Sequence, residues 1–330
     1  MIYRIVLLLC CLPLLSVGQQ LNRQGLQEYS FPDKGDTIRF YIYNPERLPK
    51  TKIFLYLQGS RPSPMISSTD SMECCFNNFP RAEMKRFPKE YAFVYIQKIG
   101  VPYYANTDHY KPSEKFDQRN NVLDRADVAN KVINYLLKKV YPAAKVVAVL
   151  GHSEGTDVAA RLAVINKRVT HLCFASGNGT PQLFNDVLFI RRQMQEGKLS
   201  AAAAQAQLDT LFAEADKIFK DPSSVSKRFN GDTYQWHYAI NQPAIDNLLK
   251  LKIPILLTIG SRDTNVPVEA SDYIKAEFVR LQKNNLSYKV YLNADHSYRE
   301  ILPTGEEIDR WPQLFDDFAT FIQEHPLPVK

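Results

Sequence analysis

The stretch Val146-Val147-Ala148-Val149-Leu150-Gly151-His152-Ser153-Glu154-Gly155-Thr156 constrains this chain more than any other. An apolar run leads directly into Gly-x-Ser-x-Gly. Residues with helical spacing, Asp157 to Ala163, follow. A buried strand, a sharp turn and a helix in that order hold a serine in strained geometry at the tip of a sheet. Gly151 and Gly155 let strand and helix approach without a Cβ clash. A Gly-Ser turn with no chemistry is the rival reading of the five residues taken alone.

The chain has 330 residues, 45% hydrophobic and 23% charged, enough for one large α/β core. Arg4, the apolar run Ile5 to Leu15 and the small residues Ser16-Val17-Gly18 read as a secretory signal cleaved after Gly18. The expected mature protein is exported, periplasmic or secreted, and begins at Gln19. Pro13 and the short run argue against a bilayer span, and no later stretch is apolar enough to make one. Lipid modification at Cys10 or Cys11 fits less well, because large leucines precede Cys10. Cys74, Cys75 and Cys173 would remain, an odd number. Cys173 reads as a buried thiol, whereas a bridge between Cys74 and Cys75 stays open. The net charge of +6 is spread rather than clustered, which speaks for a solvated surface and against nucleic-acid binding.

Strands are expected at Asp36 to Tyr43, Lys52 to Leu57, Tyr91 to Gln97, His171 to Ala175, Ile253 to Ile259 and Ser287 to Leu292. Apolar residues from Val122 to Val140 recur every three or four positions, the spacing of an amphipathic helix. Further helices fit Val268 to Lys283 and Trp311 to Glu324. Alternation of this kind predicts a mostly parallel sheet covered on both faces. It is interrupted at about 181–251, where Phe184 to Gln195, Ser200 to Leu208 and Thr210 to Lys220 read as helices. That segment is expected to be a helical cap inserted between two sheet strands.

A serine needs a base, and the base needs an orienting carboxylate. The strand Leu256 to Ile259 runs into Gly260-Ser261-Arg262-Asp263, and Val290 to Leu292 runs into Asn293-Ala294-Asp295-His296. Asp263 and His296 therefore follow strand ends, the edge where open α/β sheets bind ligands. On these landmarks the sequence resembles the α/β-hydrolase superfamily, across nearly the whole mature chain, residues 19–330. The resemblance implies Ser153 as nucleophile, Asp263 as orienting acid and His296 as base. Among the other histidines, His152 is locked in the turn, His237 precedes Asp263, and His109, His171 and His325 read as structural. Asp295, Glu269 and Asp272 are weaker candidates for the acid.

Acyl transfer also needs donors for the developing oxyanion. The resemblance places one at the backbone N–H of Glu154. The second falls in Gln58-Gly59-Ser60-Arg61, where relatives often carry His-Gly. Ser60 is favoured there, with Arg61 open. Arg61, Tyr104, Tyr234 and Trp236 are candidates to line the substrate pocket, with Tyr103 and Tyr298 as further aromatic possibilities. The expected activity is that of a serine hydrolase needing no metal or organic cofactor. Its substrate would be a small ester or a short peptide, with carboxylic esters first. A peptidase of the capped aminopeptidase or prolyl-oligopeptidase kind is the alternative. A non-catalytic binding protein on the same fold is the reading from another class, and it should lack at least one of the three residues.

Overall fold

The computed structural model describes residues 25–44, 50–76 and 87–327, with backbone alone for 72–76. The expected signal segment and the side chains of Cys74 and Cys75 lie outside the described residues.

The strands are β1 (Leu26–Asp33), β2 (Asp36–Tyr43), β3 (Lys52–Leu57), β4 (Ile66–Thr69), β5 (Met72–Phe76), β6 (Tyr91–Ile96), β7 (Tyr104–Asn106), β8 (Val146–His152) and β9 (His171–Ala175). They continue with β10 (Arg228–Phe229), β11 (Asp232–Thr233), β12 (Ile255–Gly260), β13 (Leu286–Tyr291), β14 (Arg299–Ile301) and β15 (Glu307–Asp309). Eight form the central sheet in the order β1-β2-β6-β3-β8-β9-β12-β13. The six from β6 to β13 run parallel, and β1 and β2 form an antiparallel margin.

The core follows from the two-residue period of a strand. Ile53, Leu55, Val147 and Val149 face one apolar cluster, and Phe54, Tyr56, Ala148 and Leu150 face the other. Both faces are covered, so these strands read as unbroken apolar runs. On the first face lie helix α2 (Val122–Tyr135), preceded by the short α1 (Glu114–Arg119), and α3 (Gly155–Ile165). Leu314, Phe315, Phe318, Phe321 and Ile322 bring the last helix, Trp311–Glu324, onto the second face, where Phe315 stacks against Phe54 and Phe93.

Between β9 and β12 the chain forms α4 (Gln182–Gln195), α5 (Ala201–Lys220), the hairpin β10–β11, α6 (Tyr234–Ile240) and α7 (Ile245–Leu248). The two helices expected around Leu208 and Thr210 are one. Asp209 and Thr210 are weak helix formers, but Leu208, Leu211, Ala215 and Ile218 keep a single buried stripe through them. Ala239, Ile240, Ala244, Ile245 and Leu248 belong to the main core, so the end of the insertion is part of the body of the domain. The remaining helices are α8 (Val268–Arg280) and α9, the Trp311–Glu324 helix.

Four sheet pieces were not expected from the sequence, the β10–β11 hairpin within the helical insertion among them. β1 pairs with β2 along its whole length, closed by Lys34 and Gly35, both at positive φ (49° and 80°). Two successive left-handed residues match the right-handed twist of a tight hairpin. β4, β5 and β7 form a small separate sheet, and β14 pairs with β15. Among the described residues no helix is long and apolar enough to cross a membrane.

Candidate active site

Strand order reverses between β3 and β8. The chain leaves β3 for β6 on one side, and leaves β8 for β9 on the other. The crevice beyond the carboxyl ends of such a pair is where doubly wound sheets bind ligands. Ser153 stands there, directly after β8. Its φ is +56°, left-handed backbone that a non-glycine residue seldom adopts. The turn is held by Ser153 N–H donating to Ala175 O (3.0 Å) and by the Thr156 N–H and hydroxyl donating to Ser153 O (2.8 and 2.6 Å).

The glycines are required by contact rather than by φ. A Cβ on Gly155 would overlap the Leu57 carbonyl of β3, and one on Gly151 would overlap the Gly155 carbonyl. Gly155→Ala must therefore push the elbow away from β3. We expect a loss of about 1–3 kcal/mol in stability, read by chemical denaturation, with a larger proportional loss of activity.

Asp263 and His296 meet because their loops zip together. Ser261 N–H donates to Tyr291 O and Arg262 N–H to Ala294 O, each at 2.9 Å. The Asp263 side chain is fully buried. Its Oδ1 accepts the N–H groups of Asn265 and Val266 (both 2.8 Å), and its Oδ2 lies 2.8 Å from His296 Nδ1. A carboxylate only accepts, so Nδ1 is the donor, and in the neutral imidazole the lone pair is then on Nε2. Asp295 instead caps its own turn, taking the N–H groups of Ser297 and Arg299. Glu269 pairs with Arg192, and Asp272 accepts from Tyr288.

His152 ties the histidine loop to the elbow. Its Nε2 donates to the His296 carbonyl at 3.0 Å, and the two rings lie 5.0 Å apart. Burial, with His296 beside it, lowers the His152 pKa to about 4, so it stays neutral at working pH. His109, His171, His237 and His325 bond to Asp70, His325 O, Phe229 O and Phe321 O. Ser153 Oγ makes no hydrogen bond among the described residues. The serine–histidine link is thus open here, as is common before substrate tightens a site.

On the other side of Ser153 lies the loop after β3. A Cβ on Gly59 would stand 3.2 Å from Ser153 Cβ and 3.6 Å from its Oγ. Among the described residues neither the Ser60 nor the Glu154 N–H has an acceptor, so neither is committed to a bond within the described protein.

The candidate pocket residues separate. The Glu154 side chain, 4% exposed, bridges three elements: it pairs with Arg125 of α2 and accepts the Trp236 indole N–H (2.6 Å) from α6. Trp236 therefore carries the insertion onto the elbow, so α6 abuts the carboxyl edge of the sheet. Tyr234 is buried inside the insertion, with its hydroxyl on Glu214. Tyr104 is exposed on the small sheet and bonds to Ser68. Tyr103 packs on Tyr41. Tyr298 is fully buried, bonded to Thr258, and is a core residue rather than a pocket wall. Arg61 is exposed at the end of the β3 loop. Cys173 is a buried free thiol, its pKa raised by burial. Among the described residues no cluster of His, Cys, Asp or Glu could hold a metal ion.

Sequence reasoning missed the charged shell behind the site: Lys98, Arg125, Asp157 and Asp232. Asp157, one helical turn past Ser153, is buried with both carboxyl oxygens unpartnered. Burial first, and Glu154 second, hold its pKa well above the carboxylate range. The folded state therefore keeps this proton at a pH where the unfolded chain has released it. The contribution is fully present below the ordinary carboxylate pKa and is lost as pH rises toward the folded value. Relative to wild type, Asp157→Asn should gain stability between about pH 4 and pH 7, measured as the difference in Tm at the two ends. A difference that does not change with pH would contradict the buried neutral acid.

No family model matches the sequence, and no curated protein matches it. The fold matches solved structures. An acylaminoacyl peptidase of Pyrococcus horikoshii superposes with a TM-score of 0.59 at 12% identity, over 92% of this chain but 42% of its own. The chain thus spans about two fifths of that peptidase. An esterase of Pyrococcus furiosus gives 0.55 at 14% identity, covering 92% of this chain and 94% of its own. Est1E of Butyrivibrio proteoclasticus gives 0.53 at 13% identity, covering 90% and 98%. The sheet order, the elbow after β8 and these superpositions together establish that the chain has the α/β-hydrolase fold.

Proposed function

We propose that this chain is an exported serine hydrolase that acts on carboxylic esters through an acyl-enzyme. The observation that carries the reading is the buried Asp263–His296 pair beside the strained Ser153 turn. His296 Nε2 takes the Ser153 proton as Oγ attacks the ester carbonyl. The Glu154 and Ser60 N–H groups receive the oxyanion. The imidazolium, held by Asp263, returns the proton to the departing alcohol. Water then attacks the acyl-enzyme with His296 again as base and regenerates Ser153.

A peptidase is the second reading, and Asp232 favours it. This partly buried carboxylate on β11 has no ion pair or hydrogen bond among the described residues. Burial, and then Glu154 nearby, push its pKa up to about 6. A substrate ammonium would suit such a group. Rates on p-nitrophenyl esters of rising acyl length, set against aminoacyl p-nitroanilides with free and blocked amines, separate the two. Faster ester turnover, indifferent to a free amine, is expected. Preference for a free amine that disappears in Asp232→Asn would favour the peptidase. Export is tested separately, by whether the amino terminus of the secreted protein is Gln19.

A further inference from the structure

The Lys98 ammonium is buried at the carboxyl end of β6, beside β3 in the sheet. Its three N–H bonds go to three consecutive carbonyls of the loop after β3: Gly59 O (2.6 Å), Ser60 O (2.6 Å) and Arg61 O (3.1 Å). Arg125, from α2, donates to the carbonyl immediately before them, Gln58 O, and also to Gly59 O at 3.4 Å. Two cations from separate elements thus hold four successive carbonyls. In a trans peptide the carbonyl of one residue and the N–H of the next point in opposite directions within one plane. Turning the Gly59 carbonyl toward Lys98 turns the Ser60 N–H away from it. The Ser60 carbonyl fixes the Arg61 N–H in the same way. Gly59 lies so close to the elbow that a Cβ on it would stand 3.2 Å from Ser153 Cβ.

We propose that Lys98 and Arg125 are positioning residues that lock the peptide planes of the Gln58–Arg61 loop, so that its N–H groups are set for the oxyanion formed at Ser153. This rests on the serine-hydrolase reading above. An ordinary turn would not need a buried ammonium with every proton on one loop. Nor would it need a guanidinium that also holds Glu154, whose N–H is the other donor. The arrangement is costly to build, since burial disfavours the charged lysine. Its return is a loop that need not reorganise as charge develops.

The test compares wild type, Lys98→Met and Arg125→Lys in the full chain. Hydrolysis of p-nitrophenyl butyrate is measured alongside inhibition by butaneboronic acid, whose tetrahedral serine adduct places an oxygen in the oxyanion position. Lys98→Met should lower kcat by about ten- to a hundredfold, less than the ~10²–10³ of deleting a donor outright. KM should stay within about threefold, and boronate affinity should fall in proportion to kcat. Arg125→Lys should show the same pattern, smaller, and decides the matter if Lys98→Met does not fold. An unchanged kcat, or a changed KM with unchanged boronate affinity, overturns the proposal. Wild-type protein that neither turns over the ester nor binds the boronate would instead refute the serine-hydrolase reading, and this inference with it.

Discussion

Replacing Ser153 with alanine should reduce ester hydrolysis by roughly 10⁴–10⁶-fold while leaving the thermal midpoint nearly unchanged. The substitution removes one hydroxyl that makes no hydrogen bond among the described residues, so the fold loses little. His296→Ala should cost about as much, because base and nucleophile act as a unit and neither works alone. The double variant should be little worse than either single one. Additive losses would show that the two side chains serve different steps, and the acyl-enzyme scheme would then fail. Initial rates on an activated ester, with folding checked by circular dichroism, supply the comparison.

Asp263→Asn should lower kcat by about 10⁴-fold, provided the protein folds. The carboxylate accepts three hydrogen bonds: two from its own turn and one from His296 Nδ1. An asparagine can keep the turn bonds through its carbonyl and then presents its NH₂ to Nδ1. The imidazole must accept at that atom, so its proton moves to Nε2, where the base needs a lone pair. The loss should therefore fall on kcat, with KM little altered and the fold intact. Asp263→Ala should be less stable as well, since the Asn265 and Val266 N–H groups lose a buried acceptor. A fully active Asp263→Asn enzyme would move the orienting acid elsewhere.

The parts legible in the sequence were those fixed by local rules. Buried parallel strands read as apolar runs because both of their faces are covered, which is why β3, β6, β8, β9, β12 and β13 were found nearly to the residue. The elbow was legible because its two glycines are required by contacts only a strand-turn-helix makes. β1 was missed because, at the sheet margin, it alternates with polar residues and contains Pro32. The small sheets were missed because their strands are only two to five residues long, too short for an alternating pattern to show, and β7 joins β4 from a distant part of the chain. Lys34-Gly35 was the available signal for the first hairpin.

The shell behind the site was illegible for another reason. Lys98, Arg125 and Asp232 are charged residues whose sequence neighbours give no hint of burial, so each reads as solvated surface. The partners of Lys98 and Arg125 lie 29 to 67 positions away in the chain. Glu154 shows the same limit. An acid at a helix start has a sufficient local reason in the helix dipole, yet this side chain joins α2 and the insertion to the elbow. Aromatic residues misled in the opposite direction: Tyr234 and Tyr298 carry a polar tip suited to a pocket, but Glu214 and Thr258 take those tips inside the protein.

The most direct measurement is covalent labelling of the full chain by a fluorophosphonate, located by peptide mass spectrometry. The account predicts one adduct, on the peptide containing Ser153, formed in step with loss of esterase activity, much slower in His296→Ala and absent from Ser153→Ala. An adduct on another serine, or none on a folded wild-type protein, would contradict it.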